Sequence, residues 1–328
     1  MSQFVKGERL NQVQFKARSG SISEAARADG IYRDHEYPFC LPVHLAEENL
    51  FPGIRDWVQD FFARHQIKWH NGFNRNPSNH MCSSQVCCVN FLAPFADNPE
   101  ALKVLFLPFF PNIQRMLPVE DGKYVSFEWI GADNYLCELI SRNGKRSRGA
   151  LFTSADAIMM FERKDQQRQA VLIEWKYTES YGSKDLRIAD SGRDRTSIYR
   201  HLFDADDCPI DKEVLPSFNA LFFEPFYQLM RQQFLANKME KAHELGCDVV
   251  STLHIAPAHN LKFTKVTSDE LLGLGDSATG VWKTLVKDKS RFTNVSTEEL
   301  FGGFLLEEHA GMDAWGEYVM QRYGGILH

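Results

Sequence analysis

The chain has 328 residues, 44% apolar and 24% charged, ordinary globular usage that excludes a disordered or fibrous protein and allows one large core or two modest ones. Its longest apolar stretches, at 104–110 and 220–223, fall far short of the ~20 residues a membrane helix needs. The N-terminal MSQFVKGERLNQVQFKARSG carries no apolar run of the secretory kind, and the net charge of −6 leaves any contact with a polyanion to a local basic patch.

Residues 1–37 are polar, with Ser-Gly-Ser at 19–21, and read as an extended arm or a segment tied down late. Over 45–65 the apolar positions Leu45, Leu50, Ile54, Trp57, Val58, Phe61 and Phe62 recur at helical spacing, and Pro52-Gly53 sets the helix start near 52. Ser78 or Asn79 can cap a further helix with the apolar face Met81, Val86, Val89 and Leu92. Pro94 and Pro99 close it. The run KYVSFEWI and the run at 151–161 are rich in β-branched and aromatic residues, with an Asn143-Gly144 turn signal between them. QAVLIEWKYTE follows the polar turn RKDQQRQ, so 151–179 predicts a hairpin within a sheet.

Residues 180–216 are polar and weakly periodic, too long for an ordinary connection, and read as a functional insertion. A helix returns over 222–245 with Phe223, Phe226, Met230 and Phe234 on one stripe, Pro225 in its first turn and Gly246 at its stop. The buried strand CDVVSTLHI at 247–255 follows directly, which favours an α/β arrangement. Thr267 with Glu270 and Ser296 with Glu299 have the spacing of capping boxes, so the last 70 residues read as helical and accessory.

Charged residues inside apolar strands carry the chemistry. In VLIEWKY, Glu174 and Lys176 share one strand face, while Ile173 and Trp175 point to the other layer. Burying either charge is costly unless it is paired or metal-bound. Asp156 is a second acid in a run otherwise fit for burial. Two carboxylates with the backbone carbonyl of Trp175 would give Mg²⁺ hard oxygen ligands, and Lys176 would lie beside a metal-bound water. A buried ion pair is the plainer alternative. A second E-x-K, Glu162-Arg163-Lys164, falls at the polar hairpin turn and reads as solvated charge.

Asp156, then Glu174-Trp175-Lys176, in helix-strand-strand-strand-helix-strand order, resembles the PD-(D/E)XK nuclease superfamily over about residues 81–256. SSQ at 83–85, EWKYTESY and FFEPFYQLMRQQ are similar to a bacterial group within it. The resemblance implies a restriction-endonuclease-like α/β core, with Asp156 and Glu174 as Mg²⁺ ligands and Lys176 as catalytic base or its positioner. Ala155 stands where many members have proline. Gln85 stands where many have glutamate, and it could bind a metal-bound water; Glu128 is a reserve carboxylate ranked below it. The helical Gln-x-x-x-Tyr of some members is absent.

Gln228, Arg231 and Gln232 on the following helix, with Tyr181 and Arg187 of the insertion, are candidate substrate contacts. Arg142, Lys145, Arg146 and Arg148, and Lys184, Arg193, Arg195 and Arg200, are candidate phosphate contacts, with Tyr181 and Tyr199 as stacking surfaces.

Three segments are expected: a 1–80 arm and helical extension, an 81–258 nuclease-like core with the 180–216 insertion, and a 259–328 helical accessory region. The expected activity is Mg²⁺-dependent hydrolysis of phosphodiester bonds, Mn²⁺ substituting, by a cytoplasmic protein. Its partner would be nucleic acid, DNA ahead of RNA, with a homodimer as the oligomeric option and no membrane contact. The alternatives are a silent nuclease fold that binds nucleic acid or a protein, and a thiol enzyme using the seven cysteines. His80, Cys82, Cys87 and Cys88 match no usual zinc spacing, residues 82 and 87 lying about 140° apart on a helix.

Overall fold

A computed structural model describes residues 1–138, 146–150 and 152–327. The Asn143-Gly144 turn and the candidate phosphate contacts Arg142 and Lys145 lie outside the described residues.

The N-terminal segment is not an extended arm. It opens with α1 (Gln3–Arg18), capped by Ser2, whose Oγ accepts from Val5 N. Its buried face is Val5, Glu8, Gln12, Phe15 and Lys16, a stripe at helical spacing whose polar members disguise it as a surface. A short hairpin follows, β1 (Gly30–Tyr32) and β2 (His35–Tyr37). Next come α2 (Arg55–Arg64), beginning as Pro52 predicts, α3 (Ser84–Leu92) and α4 (Pro99–Phe106). The cap of α3 is Ser83, which accepts from Val86 N. Ser78 and Asn79 are engaged elsewhere, Asn79 donating to the carbonyls of Ile31 and Leu41.

The central sheet comprises β3 (Ile113–Leu117), β4 (Val125–Trp129), β5 (Ala155–Arg163) and β6 (Arg168–Trp175), then, beyond α5 (Thr196–Asp204) and α6 (Phe226–Lys241), β7 (Val249–Ala256) and, after α7 (Ala278–Leu285), β8 (Phe292–Ser296). Strand β5 is shared on one edge, β4 pairing with its first half and β3 with its second, both antiparallel. Strands β5 and β6 form the expected antiparallel hairpin. Strands β6, β7 and β8 run parallel, with α6 and α7 lying in the crossovers.

The parallel strand β8 corrects the expectation of a purely helical tail, since residues 292–296 complete the sheet. The Ser296–Glu299 capping box opens α8 (Thr297–Phe301). Thr267 makes no such box and donates instead to the carbonyl of Glu224. The last helix, α9 (Asp313–Tyr323), returns to pack on α1.

The two faces of the sheet separate by strand parity. Ala157, Met159, Ile173, Trp175, Leu253 and Ile255 join the core beneath α2, α3, α4 and α9. Ile158, Met160, Leu172 and Val250 join the core beneath α5, α6 and α7. Asp156, Glu174 and Lys176 have the parity of the second face, where α6 reaches them. No helix among the described residues is long and apolar enough to cross a membrane.

Candidate active site

The edge of α6 and the ends of β4, β5 and β6 enclose one set of charges. Asp156 Oδ2 accepts a 2.7 Å hydrogen bond from Trp175 N, the amide between Glu174 and Lys176. This bond ties the acid of β5 to the turn-off point of β6. Glu174 is 2% exposed; its Oε1 is ion-paired with Lys176 Nζ, and its Oε2 accepts from Gln232 Nε2. Gln232 also donates to the carbonyl of Ser154 at 3.3 Å, so one α6 amide steadies both acidic strands.

Glu128, the reserve carboxylate of the sequence, lines the cleft beside Asp156. The β4–β5 register, Phe127 opposite Ala157 and Trp129 opposite Ala155, sets Glu128 across from Asp156. Its backbone is in the left-handed region, at φ 52°, a conformation that costs an L-residue energy and concentrates at functional sites. Its carboxylate accepts from Gln85 Nε2 at 2.6 Å and Ser154 Oγ at 2.8 Å. Gln85 is otherwise occupied with backbone, donating to Lys68 O and accepting from His70 N. The helix amide therefore orients Glu128.

The electrostatics follow from crowding negative charge out of water. Burial and then the charge of Glu174 push the Asp156 carboxyl well above the usual range, against the pull of Lys176. Burial raises Glu128 to about 7, its Ser154 and Gln85 hydrogen bonds lowering it and Glu174 raising it. Burial pulls Lys176 down, but Glu174, Tyr181 and Asp156 outweigh it, so the ammonium is held more firmly than usual.

These groups line a cleft of about 520 Å³ with Asp156, Glu128, Trp175 and Lys176 among its walls. Tyr181 and Gln228 line it too, their side chains 3.5 Å apart, as do Tyr32, His70, Asn71 and His80 from the segment expected to be a separate extension.

Other candidates lie elsewhere. Arg231 rests 4.5 Å over the Tyr227 ring and donates to Thr153 Oγ1. Arg187 pairs with Asp185 at the exposed surface, as Lys184 does with Asp190. Arg195 donates to the carbonyl of Leu186, and Arg200 lies over Phe218. Arg146 donates to the carbonyls of Ile130, Gly131 and Ala132, and Arg148 to that of Phe127 and to Glu120. These guanidiniums hold their own loops. Tyr199 is buried, donating to Glu138 at 2.8 Å, and offers no stacking surface.

Among the described residues no set of three or more His, Cys, Asp or Glu side chains is arranged to hold a metal ion. A pair of carboxylates completed by water and a main-chain carbonyl suits Mg²⁺, which keeps several waters. The buried Glu174 Oε1, ion-paired with Lys176 and without a hydrogen-bond donor among the described residues, fits that use. Trp175 offers only its backbone, because its ring is packed between Phe91 and Phe301 on the opposite face.

A mixed sheet flanked by helices, with two acids and a lysine at the ends of its antiparallel hairpin, defines a restriction-endonuclease-like fold. The chain belongs to the family described as restriction endonuclease associating with ARP, which matches residues 9–324. That span takes in the larger part of α1 and all of α9 as well as the sheet. No curated protein and no solved structure matches the chain. The family is a restriction-endonuclease-like one, which points to nuclease activity.

Proposed function

We propose that the protein is a Mg²⁺-dependent nuclease that hydrolyses phosphodiester bonds in DNA, with Asp156, Glu174 and the Trp175 carbonyl holding the cation and Mn²⁺ able to replace it. The observation that carries this is the Asp156–Trp175 bond, which brings the β5 acid to the E-x-K segment of β6. Two buried carboxylates tied to one backbone unit form a ready oxygen site, and a family of nucleases supplies the reaction class.

When bound, the cation supplies charge stabilisation at phosphoryl oxygens and a more acidic water. The chain's own groups do the rest. Lys176, paired with Glu174 and held protonated, has a proton to donate in a hydrogen bond and stabilises charge developing on the phosphate. It serves as positioner and counter-charge ahead of base. Gln232 fixes the free edge of Glu174, and Gln85 fixes Glu128. Gln228 and Tyr181 at the cleft wall are placed to contact the strand being cut.

The test is cleavage of plasmid, single-stranded DNA and RNA with Mg²⁺ or Mn²⁺. Loss of cleavage in Asp156→Ala and Lys176→Ala, with folding intact, supports the proposal. Binding without cleavage by the wild type would favour a silent nuclease fold instead.

A further inference from the structure

One wall of the cleft is aromatic, and the chemistry above does not use it. Tyr32, at the end of β1, and His80 both line the cleft, their rings 4.9 Å apart and edge to face. A second tier backs them: Phe39 lies 5.1 Å from His80, Tyr37 stacks on Phe39 at 5.0 Å, and the Arg9 guanidinium covers Phe39 at 4.4 Å. The imidazole cannot swing freely, because its Nδ1 accepts from Cys82 N while its backbone bridges to Cys40. Burial and then the charge of Arg9 depress its pKa to about 4, so it presents an uncharged ring at neutral pH.

Tyr32 itself is half-buried, and among the described residues its hydroxyl has no hydrogen-bond partner. Exposed Arg33 lies 5.3 Å from the Tyr32 ring, adding a cation at the same edge. A rigid, half-covered aromatic wall beside an acidic floor is a platform for a flat π-system attached to a phosphate. Base faces in a duplex are already covered by their neighbours, so only an unpaired or extruded base can use it. A cleft of about 520 Å³ falls in the size class that encloses one small-molecule-sized unit, not a double helix.

We infer that Tyr32 and His80 form a stacking wall that takes one unpaired base of the substrate strand, making the substrate single-stranded, or locally melted, at the point of cleavage. This rests on the nuclease reading above. It assigns the hairpin β1–β2 a part in choosing the substrate, which neither the sheet nor the acidic residues would indicate.

The experiment measures fluorescence anisotropy of the full chain without divalent cation, using a labelled single-stranded oligodeoxynucleotide and the same sequence as a duplex. In parallel, a fluorescent adenine analogue within the single strand reports stacking by quenching. The wild type binds the single strand more tightly than the duplex and quenches the analogue. Tyr32→Ala loses about 5- to 150-fold in single-strand affinity, the range for one base stacked on an aromatic ring, and loses the quenching. Tyr32→Phe retains both, and equal melting temperatures show that both variants fold. Single-strand binding unaffected by Tyr32→Ala overturns the inference and leaves the nuclease reading standing. So does an equal loss on the duplex. If the wild type binds neither oligonucleotide, both fall.

Discussion

Glu128 and Asp156 face each other across two antiparallel strands that both end in the cleft, and their shared neighbour Ser154 donates to Glu128 at 2.8 Å. Burial and the nearby charge of Glu174 on β6 raise both carboxyls above the usual range, while Lys176 pairs with Glu174.

Asp156→Asn keeps the size of the side chain and an acceptor for Trp175 N but removes its charge. The fold, followed by circular dichroism, is expected to survive. Cleavage should fall by about 10²–10³-fold, the scale of losing one charge-stabilising group. Wild-type turnover in this variant would remove Asp156 from the site.

Glu128 gives a pH signature. Its carboxyl rises from 4.5 to about 7 on folding, burial being the main cause. The folded chain binds this proton more tightly than the unfolded chain, so stability declines as pH rises between those values and then levels off. Glu128→Gln should therefore be more stable than the wild type at pH above about 7, by roughly 3–4 kcal/mol at ~1.4 kcal/mol per pH unit. The gain should vanish in acid below the ordinary carboxylate range. Denaturant melts across this window check it, and a pH-independent difference would point to packing instead.

Mg²⁺ should raise the melting temperature in the absence of nucleic acid, because binding to the folded chain alone stabilises it by about 2.7 kcal/mol at a hundred times Kd. The effect should grow as pH rises, since Asp156, whose carboxyl burial and the charge of Glu174 hold above the usual range, must lose its proton to bind the cation. Glu174→Gln is expected to abolish it. Calorimetric titration gives a second readout free of activity.

Gln232 touches Glu174 and the Ser154 carbonyl but does not line the cleft. Gln232→Ala should raise the Mg²⁺ concentration needed for half-maximal cleavage by about 10- to 100-fold, the usual effect of removing a partner behind a ligand. The KM for nucleic acid should hardly change. A large rise in KM with an unaltered metal requirement would make Gln232 a substrate contact.

Arg322 tests the scaffold. It is 1% exposed and donates to Gln12, the carbonyls of Asn49 and Met81, and the hydroxyl of Tyr318. Arg322→Ala strands several buried acceptors at about 1–3 kcal/mol each, so a loss of more than about 3 kcal/mol is expected in a urea melt.

The candidate site was legible in the sequence where charge interrupts an apolar strand, because Asp156, Glu174 and Lys176 have no ordinary reason to be buried. Glu128 carries the same signal in KYVSFEWI yet ranks below Gln85 as a reserve carboxylate, since a single sequence does not reveal which of two polar groups turns toward backbone. The helix α1 was invisible for a different reason: Glu8, Gln12 and Lys16 occupy buried positions that a hydrophobic pattern needs to be apolar. Strand β8 was hidden by its brevity, five residues in FTNVS between two helices. The cleft wall of Tyr32, His70 and His80 depends on contacts made across the fold, which local spacing does not encode.

The hydroxyl of Tyr177, one residue beyond Lys176, donates to Glu8 at 2.6 Å and accepts from Gln12 at 3.0 Å, and Gln12 in turn accepts from Arg322. The back of the strand that carries Glu174 is therefore tied to α1 and, through Gln12, to Arg322 of α9. During synthesis the ribosome emits the acidic strands long before residue 322, and the knot behind Tyr177 closes only after that arginine emerges. A chain released before residue 322 would present Asp156 and Glu174 without their brace, so the strands that carry the candidate site are supported from behind only once α9 has docked on α1.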